Sequence, residues 1–475
     1  MRVEHDSLGE KEIPNDKYYG IQTLRACENF SITGIAMSSF PHLIKALATV
    51  KQAAAKSNHE LGLLSNEQAV AIFAACKEVY AGKFDSHFPI DMIQGGAGTS
   101  ANMNANEVIT NRALELMGYK KGEYQHLHPN DHVNASQSTN DVYPTAAKIA
   151  IIWSSEQLIE ALKQLRNGFL AKAQEFKDII KMGRTQLQDA VPMTLGQEFQ
   201  AFADTLDSEL QELQNGFKHC YQINMGATAI GTGINTLPGY AQSVNKQLAE
   251  ITKIELIEAS NLIEATSSTS GFVAVSSALK GCAIKLTKIC NDLRLLSSGP
   301  KAGLGDIQLP AMQPGSTIMP GKVNPVIPEV VNQICFQVIG FDLTITLAAQ
   351  AGQMQLNAFE PIMLYDILEG IKLLSRGSIL LQEKCINGIT ADKEHLEKVV
   401  YNSSGLATAL APFIGYEEAA KIAKLVQNSD RTVHDLLKDS KLLSKQQIDM
   451  ILSPEFLTKP QPKLETEVKK KGEKH

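Results

Sequence analysis

The chain has 475 residues, 44% of them hydrophobic but only 6% aromatic, with a single tryptophan. That balance favours long helices packed through Leu, Ile, Val and Ala over an aromatic-rich sandwich, and the length allows two or three domains with a large core. A net charge of −6 leaves no basic footprint, so no nucleic acid is expected as partner, and an anionic substrate needs a local positive site. The seven cysteines are scattered without a CxxC pair and read as reduced thiols of a cytoplasmic protein. The N-terminus is charged and unlike a signal peptide, and no run of about 20 apolar residues lacks polar interruption, so no membrane span is expected.

Residues 1–20 form a polar arm without chemistry of its own. From about 37 to 82 the pattern is helical, with Leu43, Ala46, Leu47 and Val50 on one face. Gln94 to Glu107 places three glycines before Thr99-Ser100 and a run of alternating asparagines. A glycine-rich entry to a helix N-terminus can cradle an anion, and the spacing is not that of a nucleotide loop. His128 to Asp141 ends in Ser138-Thr139-Asn140, three adjacent polar groups at a helix start. His128 and His132 are four apart, but Pro129 and Asn130-Asp131 argue against a helix there, so no metal site is expected.

A long helix is predicted from Asp141 to about 178. Gly183 to Pro192 breaks the pattern, a second helix runs from Thr194 to about 222, and Asn224 to Gly233 is a glycine-rich connector. Further helices are predicted at about 264–298, 327–354 and 360–385. Between Val330 and Leu356 the only charged residue is Asp342. A helix of that length, about 40 Å at 1.5 Å per residue, must be covered nearly all round, which points to several subunits sharing one bundle. After Ile389 come shorter charged helices around 391–400, 416–427, 431–438 and 443–452. The lysine- and glutamate-rich tail, 465–475, is expected to be disordered.

Gly315-Ser316-Thr317-Ile318-Met319-Pro320-Gly321-Lys322-Val323-Asn324-Pro325 presents two hydroxyls, a cation and a carboxamide between glycines, just before a helix that carries Glu329 in its first turn. This string resembles the signature loop, usually GSSxMPxKxN, of the fumarase/aspartase superfamily of lyases. The blocks at 94–107 and 128–141 resemble the same superfamily, and GRTQLQDAVPMTLGQEF, starting at Gly183, resembles its aspartase branch. Thr317 replaces the usual second serine but keeps the hydroxyl.

The resemblance implies an all-α fold of three domains, 1–139, 140–394 and 395–475. The central one would be a long five-helix bundle assembling into a multi-subunit helical core, a homotetramer. It implies anti elimination across Cα–Cβ of a small dicarboxylate, giving fumarate through an aci-carboxylate, with Ser316 as base. Thr99, Ser138, Thr139 and Thr317 would hold the β-carboxylate, and Thr185, Lys322 and Asn324 the α-carboxylate. Asn140 and Gln186 would face the leaving amine. No cofactor and no metal is implied. Fumarases of the superfamily carry a histidine where this chain has Gln186, so L-aspartate deamination is the expected reaction. A class II fumarase is the alternative. A catalytically silent structural homologue, as some lens proteins of the superfamily are, fits less well because Ser316, Lys322 and Asn324 are all retained.

Overall fold

The computed structural model describes residues 1–429 and 431–460, and the predicted disordered tail at 465–475 lies outside them. The polar N-terminus is not a simple arm: β1 (Arg2–Asp6) and β2 (Gly9–Ile13) pair as an antiparallel hairpin. The helical stretch after it is α1 (Ile21–Asn29), α2 (Pro41–Glu60), α3 (Asn66–Tyr80) and α4 (Thr99–Leu116). The α3 start is set by a Ser65/Gln68 capping box.

The five long helices are α5 (Thr139–Glu175), α6 (Leu195–Lys218), then, after α7 (Tyr240–Thr252) and α8 (Leu262–Ser267), α9 (Ser270–Leu296), α10 (Val326–Gln350) and α11 (Glu360–Lys384). These match the five predicted from hydrophobic pattern, except that the third is split into α8 and α9 at Ser268-Thr269. Between α5 and α6 the pattern break is β3 (Ile180–Thr185) and β4 (Gln188–Thr194), an antiparallel hairpin. Short helices follow at Lys393–Asn402, Tyr416–Gln427, Val433–Ser440 and Lys445–Ile451, near the predicted places. The chain is 62% helical with few short strands, an all-α fold.

Two compact units emerge, and neither is continuous in sequence. The first comprises residues 1–161, 209–284 and 333–376. Its core includes Leu43, Ile44, Leu47 and Val50 of α2, Ile72 and Val79 of α3, and Val108 and Ile109 of α4, all essentially inaccessible. The second comprises 162–208, 285–332 and 377 onward. There Phe169, Phe176, Phe199 and Phe202 pack tilted or edge to face with centroids 5.3–6.1 Å apart, an arrangement the ring quadrupole favours. A separate cluster built from Ile180, Met182, Val400, Leu406, Leu410, Leu437 and Ile451 holds the β3–β4 hairpin against the C-terminal helices.

Length and composition alone would let α10 cross a membrane, with a mean hydropathy of 1.4 in its most apolar window, although polar residues interrupt it. Only 33% of that window is buried. Phe336, Leu343 and Leu347 are more than half exposed on one face. Asp342 does not face solvent unpaired, because Ser276 and Lys280 both donate to it at 2.8 and 2.6 Å.

Candidate active site

In the first unit the blocks at 94–107 and 128–141 meet. Thr99 opens α4 behind Gly96, Ala97 and Gly98, all at positive φ. A Cβ on Gly98 would lie 2.4 Å from the Tyr143 ring, so only glycine lets this turn rest on α5. Asn102, one turn into α4, donates from Nδ2 to Thr139 Oγ1 at 3.1 Å and to Asn134 Oδ1 at 3.1 Å. Asn106 and the ammonium of Lys51 donate to the same Asn134 oxygen, at 3.2 and 2.8 Å, and Lys51 also reaches Gln137 Oε1 at 2.9 Å. Asn102 and Asn106 therefore tie α4 to Asn134 and, through Asn102, to Thr139, whereas Asn104 donates to the His87 carbonyl at 2.9 Å.

Asp141 fixes that segment from the other side. It is fully buried and accepts the backbone N–H of Ser138, Gly226 and Thr228 at 3.0, 3.2 and 2.9 Å. Burial pushes its carboxyl up to about 6, against those three donors. Burial likewise lowers the Lys51 ammonium to about 7. The glycine-rich connector at 224–233 is thus tied to the head of α5. One of its carbonyls, that of Ala229, accepts from Asn140 Nδ2 at 2.7 Å. The amide of Asn140 is oriented by that bond, and its Oδ1 has no partner among the described residues.

The π-helical turn Pro129–Val133 occupies the place where the sequence argued against a helix. His128 and His132 serve the backbone there. His128 Nδ1 accepts from the N–H of Asn130 and Asp131, and His132 Nδ1 from the N–H of His128. Among the described residues no group of three or more His, Cys, Asp or Glu is placed to hold a metal ion.

The second unit carries the other set. Thr185 and Gln186 stand at the tip of the β3–β4 hairpin, exposed. Gln186 and Leu187 form its two-residue connection at φ 53° and 62°, a left-handed geometry that costs non-glycine residues about 1–2 kcal/mol each. Strain of that kind persists only where the surroundings impose it.

The loop from Gly315 to Asn324 closes on itself. Gly315 N–H donates to Lys322 O at 2.8 Å, and Asn324 Nδ2 donates to Gly315 O at 2.7 Å. A Cβ on Gly315 would sit 2.2 Å from the Lys322 carbonyl oxygen, so no other residue closes the loop this way. Inside it, Ser316 Oγ accepts the backbone N–H of Ile318 at 3.2 Å and of Met319 at 3.0 Å. Lys322 is exposed, and its ammonium makes no ion pair among the described residues. The hydroxyls of Thr99, Thr185 and Thr317 are also exposed and without partners among them.

Each unit therefore gathers part of the predicted set: Thr99, Ser138, Thr139 and Asn140 in the first, and Thr185, Gln186, Ser316, Thr317, Lys322 and Asn324 in the second. Sequence reasoning missed the groups that hold them, namely Lys51, Asn134, Asp141 and Ala229. Asp141 lay inside a recognised block, whereas Lys51 is a lone cation on an otherwise apolar helix face and gave no signal.

Comparison with known proteins agrees with these features. A family model described as lyase matches residues 9–340, and one for the fumarase C C-terminus matches 406–459. Aspartate ammonia-lyase of Helicobacter pylori is 54% identical over 97% of this chain and 98% of its own. A Brucella melitensis crystal structure described as fumarate lyase:delta crystallin, bound to cobalt, superposes with a TM-score of 0.94 at 53% identity, covering 97% of this chain and all of that one. A class II fumarase from Schistosoma mansoni superposes with a TM-score of 0.89 at 34% identity over 95% of this chain and 98% of its own.

Proposed function

The chain belongs to the lyase family of fumarases and aspartases, and from that premise we infer that it is an aspartate ammonia-lyase, converting L-aspartate reversibly to fumarate and ammonia. The observation that carries the choice of leaving group is Gln186 at the hairpin tip, a group that cannot titrate where fumarases of the superfamily carry a histidine, together with the 54% identity to an aspartate ammonia-lyase.

In the proposed mechanism Ser316 Oγ removes a proton from Cβ. The N–H groups of Ile318 and Met319 stabilise charge on that oxygen, as donors preorganised toward a developing anion do. The electron pair released from the Cβ–H bond is delocalised into the β-carboxylate, whose extra charge the hydroxyls of Thr99, Ser138, Thr139 and Thr317 receive. Lys322, Thr185 and Asn324 hold the α-carboxylate. Collapse of the aci-carboxylate forms the double bond and breaks Cα–N, and the nitrogen leaves as neutral ammonia past Asn140 and Gln186. Since Asn324 also ties the loop ends, substrate binding and loop closure are coupled.

The separation of the two sets along the chain, together with the uncharged face of α10 bearing Phe336, Leu343 and Leu347, supports a homotetramer with sites shared between subunits. The seven cysteines, six of them buried and none in a disulfide among the described residues, support a reducing cytoplasmic setting. Fumarate formation, followed by its ultraviolet absorbance from L-aspartate and from L-malate, tests the reading. Aspartate turnover is expected to dominate, with the reverse reaction requiring ammonia, and faster turnover of malate would overturn it.

A further inference from the structure

The β3–β4 tip is exposed from Thr185 to Asp189, with Leu187 72% accessible, so no described residue of this chain covers it. Two-residue connections at positive φ are usually Asn-Gly, yet here they are Gln186-Leu187. The conformation must be imposed from below. The register shifts between Met182 and Arg184, a bulge that re-aims the strand end. Asp189 accepts from Ser403 Oγ at 2.8 Å. Arg184, the residue before Thr185, grips Asp306 with both ends of its fork, Nη1 to Oδ2 at 2.6 Å and Nη2 to Oδ1 at 3.3 Å.

Asp306 is fully buried, and a second cation, Lys181, lies 3.4 Å from its Oδ2 while pairing with Glu198 at 2.5 Å. The four charges cancel. Asp306 also begins the segment, through Ile307–Gln308, that leads to Gly315.

We propose that Arg184 and Asp306 are positioning residues for the elimination: their two-point ion pair sets where Thr185 and Gln186 stand and links the hairpin to the stem of the Ser316 loop. The inference rests on the reading of Thr185 and Gln186 as substrate contacts. A buried ion pair is a poor device for stability alone, since apolar residues of similar volume usually replace it without loss. What it supplies is geometry, because the guanidinium fork fixes an orientation that a lysine ammonium does not.

The test uses the full chain and two replacements. Arg184→Lys keeps the charge without the fork, and the paired Arg184→Met/Asp306→Leu removes both charges together. Each is expected to lower kcat/KM for L-aspartate roughly 30- to 100-fold, the scale of a 1 Å misplacement. Each should melt within about 4 °C of the parent. Combining Arg184→Lys with Thr185→Val should be clearly less than additive, because the arginine acts through the residue beside it. Activity of Arg184→Lys within about threefold of the parent, or losses that merely follow the folded fraction, would overturn the inference alone. Full activity in both Thr185→Val and Gln186→Ala would instead overturn the contact reading, and the inference with it.

Discussion

Ser316→Ala removes the group on which the proposed chemistry turns, and the structure sets the size of the effect. Two backbone N–H groups reach Ser316 Oγ at 3.0 and 3.2 Å. A hydrogen bond to a charged partner contributes about 1.5–3 kcal/mol, so the pair stabilises an alkoxide by roughly 3–6 kcal/mol. At 1.36 kcal/mol per pKa unit that is about two to four units. The proposed base is thus an oxygen on which the loop amides stabilise developing charge. Replacing it with alanine should lower kcat by roughly 10²- to 10⁴-fold, the range of general-base contributions. Stability should hardly change, because the half-buried side chain bonds only to its own loop, and the melting temperature should move by less than about 3 °C. Steady-state fumarate production and a thermal melt on one preparation read both quantities. A variant with kcat within about threefold of the parent would refute the assignment of Ser316.

Lys322→Ala should raise KM for L-aspartate roughly 10- to 100-fold through loss of one charge-assisted contact, measured in the same assay. Mixing dissociated Ser316→Ala and Asn140→Ala proteins should restore activity to the statistical fraction if sites are shared between subunits, while thoroughly mixed but inactive oligomers would place each site within one chain. Glu107, fully buried, accepts the N–H of Gly20, Gln22 and Thr23, and burial pushes its carboxyl up to about 7 from 4.5. Between those values the folded state holds the extra proton, so its contribution falls as pH rises through the window and is flat above it. Glu107→Gln should cost about 1–3 kcal/mol at low pH by turning an amide N–H toward backbone donors, and should melt with a shallower loss between about pH 4.5 and 7 than the parent.

The helical frame was readable because its signals are local and repetitive. The run from Val330 to Leu356, charged only at Asp342, announced α10, and the apolar spacing of Leu43, Leu47 and Val50 announced α2. The loop was readable for a different reason: a Cβ at Gly315 would collide with the Lys322 carbonyl, so the glycine is dictated by backbone contact and survives as a motif. The β3–β4 hairpin was not readable as strands. Lys181 to Thr185 lacks alternation, and the turn carries Gln-Leu where a hairpin signal would be Asn-Gly. Nor could pattern reveal the pair of Arg184 and Asp306, separated by 122 positions, or the Lys51 ammonium lying among amides. Such contacts exist only once the tertiary fold is made, and no periodicity encodes them. Pro129 misled because it was read as a breaker, whereas it occupies the first position of a π-helical turn, where its missing N–H costs nothing.

The leaving group gives the sharpest separation between this chain and the fumarases it resembles. Expelling hydroxide from malate needs a proton delivered to the departing oxygen, whereas the ammonium of aspartate leaves as neutral ammonia from the aci-carboxylate without an added acid. Gln186 cannot titrate, and the Asn140 amide, held by one N–H on the Ala229 carbonyl at 2.7 Å, supplies no acid either. A malate hydroxyl placed there brings one O–H where the ammonium brings three N–H groups, and each acceptor left unpaired costs about 1–3 kcal/mol, or roughly tenfold or more in discrimination. Gln186→His supplies the missing titratable ring at a position that accepts it, since the φ of 53° lies in a region where histidine is enriched among non-glycine residues. Folding is therefore not the obstacle, and a failure to gain malate turnover is a chemical result. The variant is expected to lose aspartate activity without becoming a fumarase, because the single substitution leaves the rest of the surrounding shell unchanged. Malate turnover by Gln186→His approaching the parent's rate on aspartate would show that the histidine alone decides the leaving group, and that the surrounding shell does not.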